Sequence, residues 1–430
     1  MEKQTNSCRE GGRADGPGSG AGATAVAPAV VAAGRGDVIR SIEGLRGIAA
    51  LMVALFHAYV YRLWGGFPAS WPVLQHAWLF VDLFFVISGF VMVAVYHDAL
   101  KSGVSIAAYM VRRFYRLYPL HIVTTALVLA TGFGVQSTKL VLSWFGISTG
   151  INPPFAVDLF DLKVFILDLF LLQGMGIIRM EIHNFPAWSI SVEFWMYLVF
   201  AVLFYWIRHA ALRVLLSVAI VVACIVHFVD LWAVSPLAER SLDTRGLPRG
   251  MLSFFQGVLV FYAWQALPAS FRAALASGRH APALGIAQVL ALLATGWIVG
   301  AQAWLGNWQL ATPTVFALLV LTLLADRGVV GSLLASAPLQ WLGRHSYAIY
   351  LTHISVQTLL DWPGRAVPEP WKHFVGLLFV LLVFGLSMLC YRFVEVPWRE
   401  RGKVVARRLE ARGALPTLPG EGRLRRDGRV

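Results

Sequence analysis

The sequence is poor in charged residues. Only 14% of its 430 residues are Asp, Glu, Lys or Arg, whereas a soluble globular chain carries about 25%. Cysteine is also scarce, and Cys8, Cys224 and Cys390 show no paired spacing, so we expect neither a disulfide framework nor a cysteine-based metal site. The low charge, together with a mean hydropathy of +0.66, excludes an ordinary soluble domain.

Several nucleotide-binding and hydrolase motifs are missing from any usable context, namely the P-loop, HExxH, CxxC and GxSxG. Their absence argues against an ATPase, a zinc protease and a serine hydrolase, and we predict no metal cofactor. Nothing near the start resembles a cleavable signal peptide. Residues 1–38 are rich in Gly and Ala and are predicted to form a disordered cytoplasmic tail.

Long apolar runs dominate the rest of the sequence. A helix that crosses a bilayer needs about 20 mostly apolar residues. Eleven stretches approach this pattern: 45–64, 77–97, 114–133, 162–178, 187–207, 212–232, 250–267, 283–304, 311–326, 341–360 and 371–394. The pattern predicts an all-α, polytopic membrane helix bundle whose membrane domain spans residues 39–398 and whose partner is the lipid bilayer.

The net charge of +13 lies at the two ends and in short loops. This distribution is typical of the positive-inside rule and not of a nucleic-acid-binding face, so no nucleic-acid partner is expected. Two basic ends on one side require an even number of crossings. Lys163 and Asp168 interrupt the stretch 162–178, so we predict that it is re-entrant or interfacial and that ten helices cross. Both termini, including a basic tail at 399–430, would then be cytoplasmic; the alternative makes 162–178 a true span and a later stretch re-entrant.

The first apolar stretch carries two polar residues on one face. Arg46 and His57 are eleven residues apart, which is three helical turns plus about 20° and about 16 Å along the axis. With Arg46 at the cytoplasmic edge, His57 would lie near the middle of a roughly 30 Å hydrocarbon core. Burial favours the neutral imidazole, so His57 is a candidate general base. A core histidine bonded to a neighbouring helix is an equally weighted alternative.

Three arginines mark the start of the third stretch. Arg112, Arg113 and Arg116 are spaced i,i+3 and i,i+4, so all three can reach one region of a helix start. Guanidinium groups bind phosphate bidentately, which makes these arginines candidate cofactor-binding residues. The alternative, which the spacing alone favours, is that they anchor a cytoplasmic helix end.

Further polar residues lie in apolar stretches, where ionisable groups are costly. Ser189 and Glu193 are four residues apart and share a face. Glu193 is a candidate catalytic residue that could orient His57, hold a substrate hydroxyl or pair with an arginine, whereas Ser189 also fits a helix cap. Asp82 and His353 are better explained as partners between helices or as groups lining a pathway.

Taken together, these motifs resemble acyltransferase family 3, the multi-span membrane acyltransferases that O-acylate lipopolysaccharide O-antigens, exopolysaccharides, Nod factors and some macrolides. The resemblance covers about residues 40–398. It rests on six segments in family order: Ile42–Gly47 with His57, Val81–Phe90, Arg112-Arg113 with Arg116 and Pro119, Trp188–Glu193, Ser346–His353 and Glu395–Pro397.

The resemblance implies that cytoplasmic acyl-CoA, most often acetyl-CoA, is the donor. It implies a role in the reaction for His57 and Arg46 and donor binding by Arg113 and Arg116. The family often continues Val-Glu-Glu-Gln-Phe-Tyr, whereas residues 192–197 here read Val-Glu-Phe-Trp-Met-Tyr. No extracytoplasmic hydrolase-like domain follows, so a single membrane domain is expected to complete the reaction.

The sequence therefore predicts an enzyme of the inner or plasma membrane that moves an acyl group, expected to be acetyl, from acyl-CoA to a hydroxyl of a cell-envelope or exported glycan. The alternative is a transporter or flippase for a lipid-linked or acylated molecule, in which the same polar groups line a pathway. A non-enzymatic scaffold would leave Arg46, His57, Asp82 and Glu193 without a role.

Overall fold

The computed structural model of the protein describes residues 39–64, 70–101, 105–147, 161–177, 183–234, 246–302 and 310–413. The predicted tail 1–38 and residues 414–430 of the predicted basic tail lie outside these ranges. The described residues are mostly helical and contain no β-strand. The main helices are α1 (Arg40–Val60), α2 (Phe80–Lys101), α3 (Ile106–Trp144), α4 (Leu162–Leu169), α5 (Ala187–Trp206), α6 (Ala210–Val234), α7 (Gly246–Ala266), α8 (Ala269–Ala276), α9 (Ala281–Gly300), α10 (Thr312–Leu323), α11 (Val329–Leu334), α12 (Ala337–Arg365), α13 (Lys372–Cys390) and α14 (Val396–Gly413). Short helical turns lie at Pro72–Gln75, Ala77–Leu79 and Glu369–Trp371, and a π-helical turn lies at Tyr391–Glu395.

The all-α membrane architecture predicted from the sequence is confirmed. Within the described ranges, seven helices are long and apolar enough to cross a membrane, or eight if α7 and α8, which meet at a bend of 101°, form one span. Helix α10 is apolar but only 12 residues long, and α12 has 29 residues but a more polar composition. The predicted count of ten spans is therefore not confirmed, because the stretches 311–326 and 341–360 correspond to α10 and α12, which are not among these candidate spans.

The segment predicted not to cross forms only a short helix. Helix α4 has eight residues, about 12 Å at 1.5 Å per residue, which is far less than a hydrocarbon core of about 30 Å. Its start is fixed locally, because the Asp161 side chain accepts hydrogen bonds from the backbone N–H groups of Lys163 (2.8 Å) and Val164 (3.3 Å). The chain then turns back towards α5, and this return brings several polar side chains into the bundle.

Helices α1 and α12 form the most extensive helix pair of the bundle. Their backbones approach closely because glycine occupies both sides of the crossing. A Cβ atom on Gly47 would lie 2.6 Å from the backbone nitrogen of Gly343, and a Cβ on Gly343 would clash with the carbonyl of Glu43. Small residues of this kind are common where helices pack inside a membrane.

The start of α1, the segment after α10 and the end of α8 lie together at one end of the bundle. The carboxylate of Asp326, after α10, accepts hydrogen bonds from the backbone N–H groups of Arg40 (3.1 Å) and Ser41 (2.7 Å). These amides have no hydrogen-bond acceptor inside their own helix, so the Asp326 carboxylate supplies the acceptors that the start of α1 lacks. Arg327 also donates to the carbonyl of Ala276 at the end of α8 (3.0 Å). The predicted topology requires this grouping, since it assigns all three segments to one face of the membrane.

The basic segment after the last apolar run begins as a helix. The π-helical turn after α13 leads directly into α14, which packs against α3. Arg112 of α3 pairs with Glu410 of α14 at 2.8 Å. Residues 399–413 of the predicted tail are thus docked on the bundle beside the start of α3.

Candidate active site

A cavity of about 220 Å³ lies inside the bundle between α1, α2, α3, α5 and α12. Its walls are mostly apolar, with charged residues concentrated in one part of the lining: Glu43, Arg46, Arg113, Arg116 and Glu193. Ser189 also lines the cavity. Five of the predicted site residues, taken from three separate motifs, are therefore brought together: Arg46, Arg113, Arg116, Ser189 and Glu193.

Glu193 is held by two hydroxyl groups that the sequence analysis did not identify. Ser88 of α2 and Tyr197, one turn further along α5, both donate short hydrogen bonds to the same oxygen of its carboxylate. Glu193 makes no contact with His57, so of the three roles considered for it, orientation of the histidine is not supported by the geometry. Tyr197 lies four residues after Glu193, and that i,i+4 spacing is the signal that could have identified it.

The three arginines of the cavity have different surroundings. Arg46 pairs with Glu43 at 3.1 Å within α1. Arg113 donates to the hydroxyl of Tyr96 (2.8 Å), and its guanidinium carbon lies 5.1 Å from the centre of that ring. The side chain of Arg116 makes no hydrogen bond or ion pair with any residue that the structure describes. The cavity lining thus holds three guanidinium groups and two carboxylates, Glu43 and Glu193, and this excess of positive charge favours an anionic ligand.

Arg112, the third arginine of the predicted cofactor-binding group, does not line the cavity. The helical spacing alone would allow Arg112 to reach the region of Arg116, but its side chain is directed towards α14. It forms the ion pair with Glu410 on α14. Arg112 therefore anchors the last helix, whereas Arg113 and Arg116 face the cavity.

His57 lies next to the cavity and not in its lining. It is buried in the last turn of α1, which ends at Val60. Its Nδ1 lies 2.9 Å from the carbonyl of Val53 and 3.2 Å from Nε2 of His353. A carbonyl can only accept, so Nδ1 carries the proton and Nε2 presents a lone pair. This is the tautomer that a general base acting through Nε2 requires.

His353 is the partner of His57 and is fully enclosed. The two ring centres are 4.9 Å apart, and His353 Nδ1 lies 3.3 Å from the carbonyl of Ile349. Tyr350 lies next to both this pair and the cavity: it lines the cavity, and its ring centre is 6.1 Å from that of His353. Tyr350 is therefore the part of the cavity wall that adjoins the histidine pair.

Ser189 forms part of the same wall. Its hydroxyl lies 2.8 Å from the hydroxyl of Tyr350, and both hydroxyls contact the carbonyl of Pro186, at 3.0 and 3.2 Å. The residue preceding α5 is Pro186, and no side chain caps that helix. Ser189 therefore fixes the wall of the cavity and does not act as the helix cap considered as an alternative.

Asp82 joins two helices and is not part of the cavity lining. Its carboxylate forms a bidentate pair with Arg249 of α7 (2.8 Å for both contacts) and accepts from Ser253 (3.2 Å). The Arg249 guanidinium also lies over the rings of Trp78 and Trp188. This geometry fits the interpretation of Asp82 as a helix–helix partner.

The fold and the cavity define a polytopic membrane protein with an arginine-rich polar site inside its helix bundle. Sequence comparison identifies the family to which this membrane protein belongs. A family model described as an acyltransferase domain matches residues 39–398, and the chain belongs to acyltransferase family 3.

Curated relatives carry related names at low identity. The peptidoglycan O-acetyltransferase OatA of Listeria monocytogenes is 22% identical over 390 residues, covering 85% of this chain and 56% of that protein. The O-acetyltransferase OatA of Staphylococcus aureus is 21% identical over 390 residues, covering 84% of this chain and 57% of that protein. The chain thus spans about half the length of these relatives. No solved structure matches the chain.

Proposed function

We propose that this protein is a membrane O-acyltransferase that transfers an acetyl group from cytoplasmic acetyl-CoA to a hydroxyl of a cell-wall glycan outside the membrane. The observation that carries the proposal is the cavity in which Arg46, Arg113 and Arg116 converge beside Glu193. The names of the O-acetyltransferase relatives support acetyl as the group and glycan as the acceptor. Family membership favours an enzyme over the transporter or flippase alternative.

The arginines are proposed to bind the phosphates of coenzyme A. The Arg116 guanidinium makes no hydrogen bond or ion pair with the described residues, so bidentate pairing with phosphate is open to it. The cavity of about 220 Å³ is smaller than the roughly 300–1,000 Å³ that enclose a drug-sized ligand. We therefore expect it to enclose only part of the donor, with the remainder extending towards the basic start of α3 on the cytoplasmic side.

His57 is proposed to be the base. In the net reaction, the acceptor oxygen forms an ester bond to the acetyl carbon while the carbon–sulfur bond of the thioester breaks. His57 Nε2 accepts the hydroxyl proton and returns it to the coenzyme A thiolate. A direct transfer and a route through an acyl-enzyme both need this proton transfer, and general-base assistance typically contributes 10²–10⁴-fold in rate.

The test compares His57→Gln with His209→Gln, whose side chain is exposed. Purified protein in lipid nanodiscs is supplied with labelled acetyl-CoA and soluble peptidoglycan fragments, and ester-linked label on the glycan is counted. We expect transfer by wild type and by His209→Gln, and a loss of about 10²-fold or more for His57→Gln. Unchanged transfer by His57→Gln would show that His57 is not the base. No transfer by wild type to any glycan tested would refute the function.

A further inference from the structure

A second polar cluster is buried where α3, α4 and the chain leading into α5 meet. Nδ1 of His183 lies 2.7 Å from Oδ2 of Asp168, and Nε2 of His121 lies 2.9 Å from the carbonyl oxygen of Asp168. The side chains of Asp168 and His183 are 3% and 1% exposed. None of these residues lines the arginine cavity, and sequence patterns did not single out the two histidines.

The cluster presents hydrogen-bond acceptors that have no donors. Carboxylate and carbonyl oxygens only accept, so Nδ1 of His183 and Nε2 of His121 each carry the proton of their hydrogen bond. The other ring nitrogen of each histidine therefore carries a lone pair. These two nitrogens, Oδ1 of Asp168 and Oδ1 of Asn184 are all buried without a hydrogen-bond partner in the described part of the chain. Buried polar groups are nearly always paired, so such a group of acceptors points to a ligand that donates.

The cluster adjoins the histidine pair of the candidate active site. Phe185 follows it directly in sequence, and its ring centre is 6.0 Å from that of His57. Asn184 donates to the carbonyl of Leu351 at 3.1 Å, two residues before His353. Arg46, near the start of α1, lines the cavity, whereas His57, in the last turn of α1, packs against Phe185, the residue that directly follows the cluster.

Hydroxyl groups of a sugar fit this cluster better than a cation does. Each hydroxyl offers one proton to one acceptor, and neighbouring hydroxyls on a ring offer several at once. A metal ion would need several ligands converging on one point, and the described residues contain no group of three His, Cys, Asp or Glu side chains placed to hold one. The acceptors are instead distributed over two histidines, a carboxylate and an amide.

We propose that His121, Asp168, His183 and Asn184 form the acceptor site, which binds sugar hydroxyls of the glycan and presents one of them to His57. This proposal rests on the proposed function and adds its second substrate site. His183 and Asp168 are positioning residues: Asp168 fixes the ring of His183, and His183 Nε2 accepts a hydrogen bond from a sugar hydroxyl. Their loss is expected to weaken binding of the glycan and to leave binding of acetyl-CoA unchanged.

The experiment measures KM for each substrate in Asp168→Asn and His183→Gln. Asp161→Asn is the matched control for the first variant, because Asp161 caps α4 and asparagine caps nearly as well as aspartate. His209→Gln is the control for the second. We expect KM for soluble peptidoglycan fragments to rise about tenfold or more in both variants, as for the loss of a buried hydrogen bond. KM for acetyl-CoA, and kcat at saturating glycan, are expected to stay within about twofold of the controls.

A glycan KM equal to that of the controls in both variants would overturn the acceptor site and leave the proposed function standing. A binding measurement without turnover completes the test, since it works even if a variant is inactive. Peptidoglycan fragments are expected to raise the melting temperature of wild type and Asp161→Asn, but not of Asp168→Asn. Equal protection of all three proteins would contradict the proposal, and it would do so independently of whether wild type transfers acetyl groups.

Discussion

Arg113 and Arg116 come from one short motif and lie in one cavity, but their surroundings differ. The guanidinium of Arg113 is held by the hydroxyl of Tyr96 and by aromatic rings on several sides. Arg116 has no such partner among the described residues. The Arg113 guanidinium is thus held in place with only its Nε buried and unpaired, whereas Arg116 is less constrained and better able to adjust to a ligand.

Replacement of Arg116 by Ala is expected to weaken donor binding. A hydrogen bond to a charged group contributes about 1.5–3 kcal/mol, so KM for acetyl-CoA should rise roughly 10- to 150-fold. Arg112→Ala is the control, because the Arg112 side chain pairs with Glu410 outside the cavity. A similar rise in both variants, measured with labelled acetyl-CoA, would show that the effect comes from general loss of positive charge and not from the cavity.

Asp82 gives a prediction about stability. Asp82→Asn leaves the buried guanidinium of Arg249 with a neutral partner, and breaking a buried ion pair costs about 3–5 kcal/mol. We expect a clear fall in the melting temperature of the protein in detergent. Glu369→Gln is the comparison, since Glu369 pairs with Lys372 while 70% exposed, and surface pairs contribute about 0–1 kcal/mol. Equal melting temperatures for the two variants would contradict the structural role of Asp82.

At the level of helices, close packing depends on glycine at a few crossings. Gly47 on α1 faces Gly343 on α12, and Gly89 on α2 and Gly257 on α7 each face the backbone of the other helix. In each case the obstacle to a side chain is backbone, which cannot move aside as a flexible side chain can. These crossings hold α1, α2 and α12 close enough to enclose a narrow cavity.

Gly47→Ala is expected to destabilise the α1–α12 pair. The added Cβ would lie 2.6 Å from a backbone nitrogen, and forcing extra atoms into a packed site costs about 1–3 kcal/mol or more. Gly134→Ala on α3, with no atom within 4 Å of the new Cβ, is the matched control and should be neutral or stabilising by up to about 1 kcal/mol. Thermal unfolding in detergent distinguishes the two variants. A Gly47→Ala protein with the melting temperature of wild type would show that α1 and α12 can move apart without loss of stability.

At the scale of the whole molecule, the arrangement predicts which ends of the bundle face the cytoplasm. The start of α1 and the loops after α8 and α10 lie together, and Arg112 joins the start of α3 to α14. Basic residues are concentrated in these segments, so the positive-inside rule assigns this end to the cytoplasm. The end of α3 and residues 161–177 then belong to the outer face.

This orientation can be tested with single cysteines introduced at Ser277 and Ser143, both exposed, after Cys8, Cys224 and Cys390 have been replaced by Ala. A membrane-impermeant maleimide added to intact spheroplasts should label Ser143→Cys and leave Ser277→Cys unlabelled until the membrane is opened. Labelling of Ser277→Cys in intact spheroplasts would invert the topology and with it the side from which the donor enters.

The sequence predicted the membrane bundle and part of the site, for a clear physical reason. Apolar runs and helical spacing are local properties, so the helices and the shared presence of Arg46, Arg113 and Arg116 near one membrane face could be predicted. The pairing of Arg112 with Glu410 joins residues 298 positions apart, and no local pattern encodes it. Asp168 and His183 meet only because the segment between α3 and α5 turns back, so their contact required the structure.

The wall formed by Tyr350, Ser189 and Pro186 has a consequence for the cell that contains the protein. A membrane protein with a polar cavity inside its helix bundle risks becoming a leak for ions. Here one wall of the cavity consists of an aromatic ring and polar groups that hydrogen-bond one another. We expect the resting protein to preserve the membrane potential even when it is abundant.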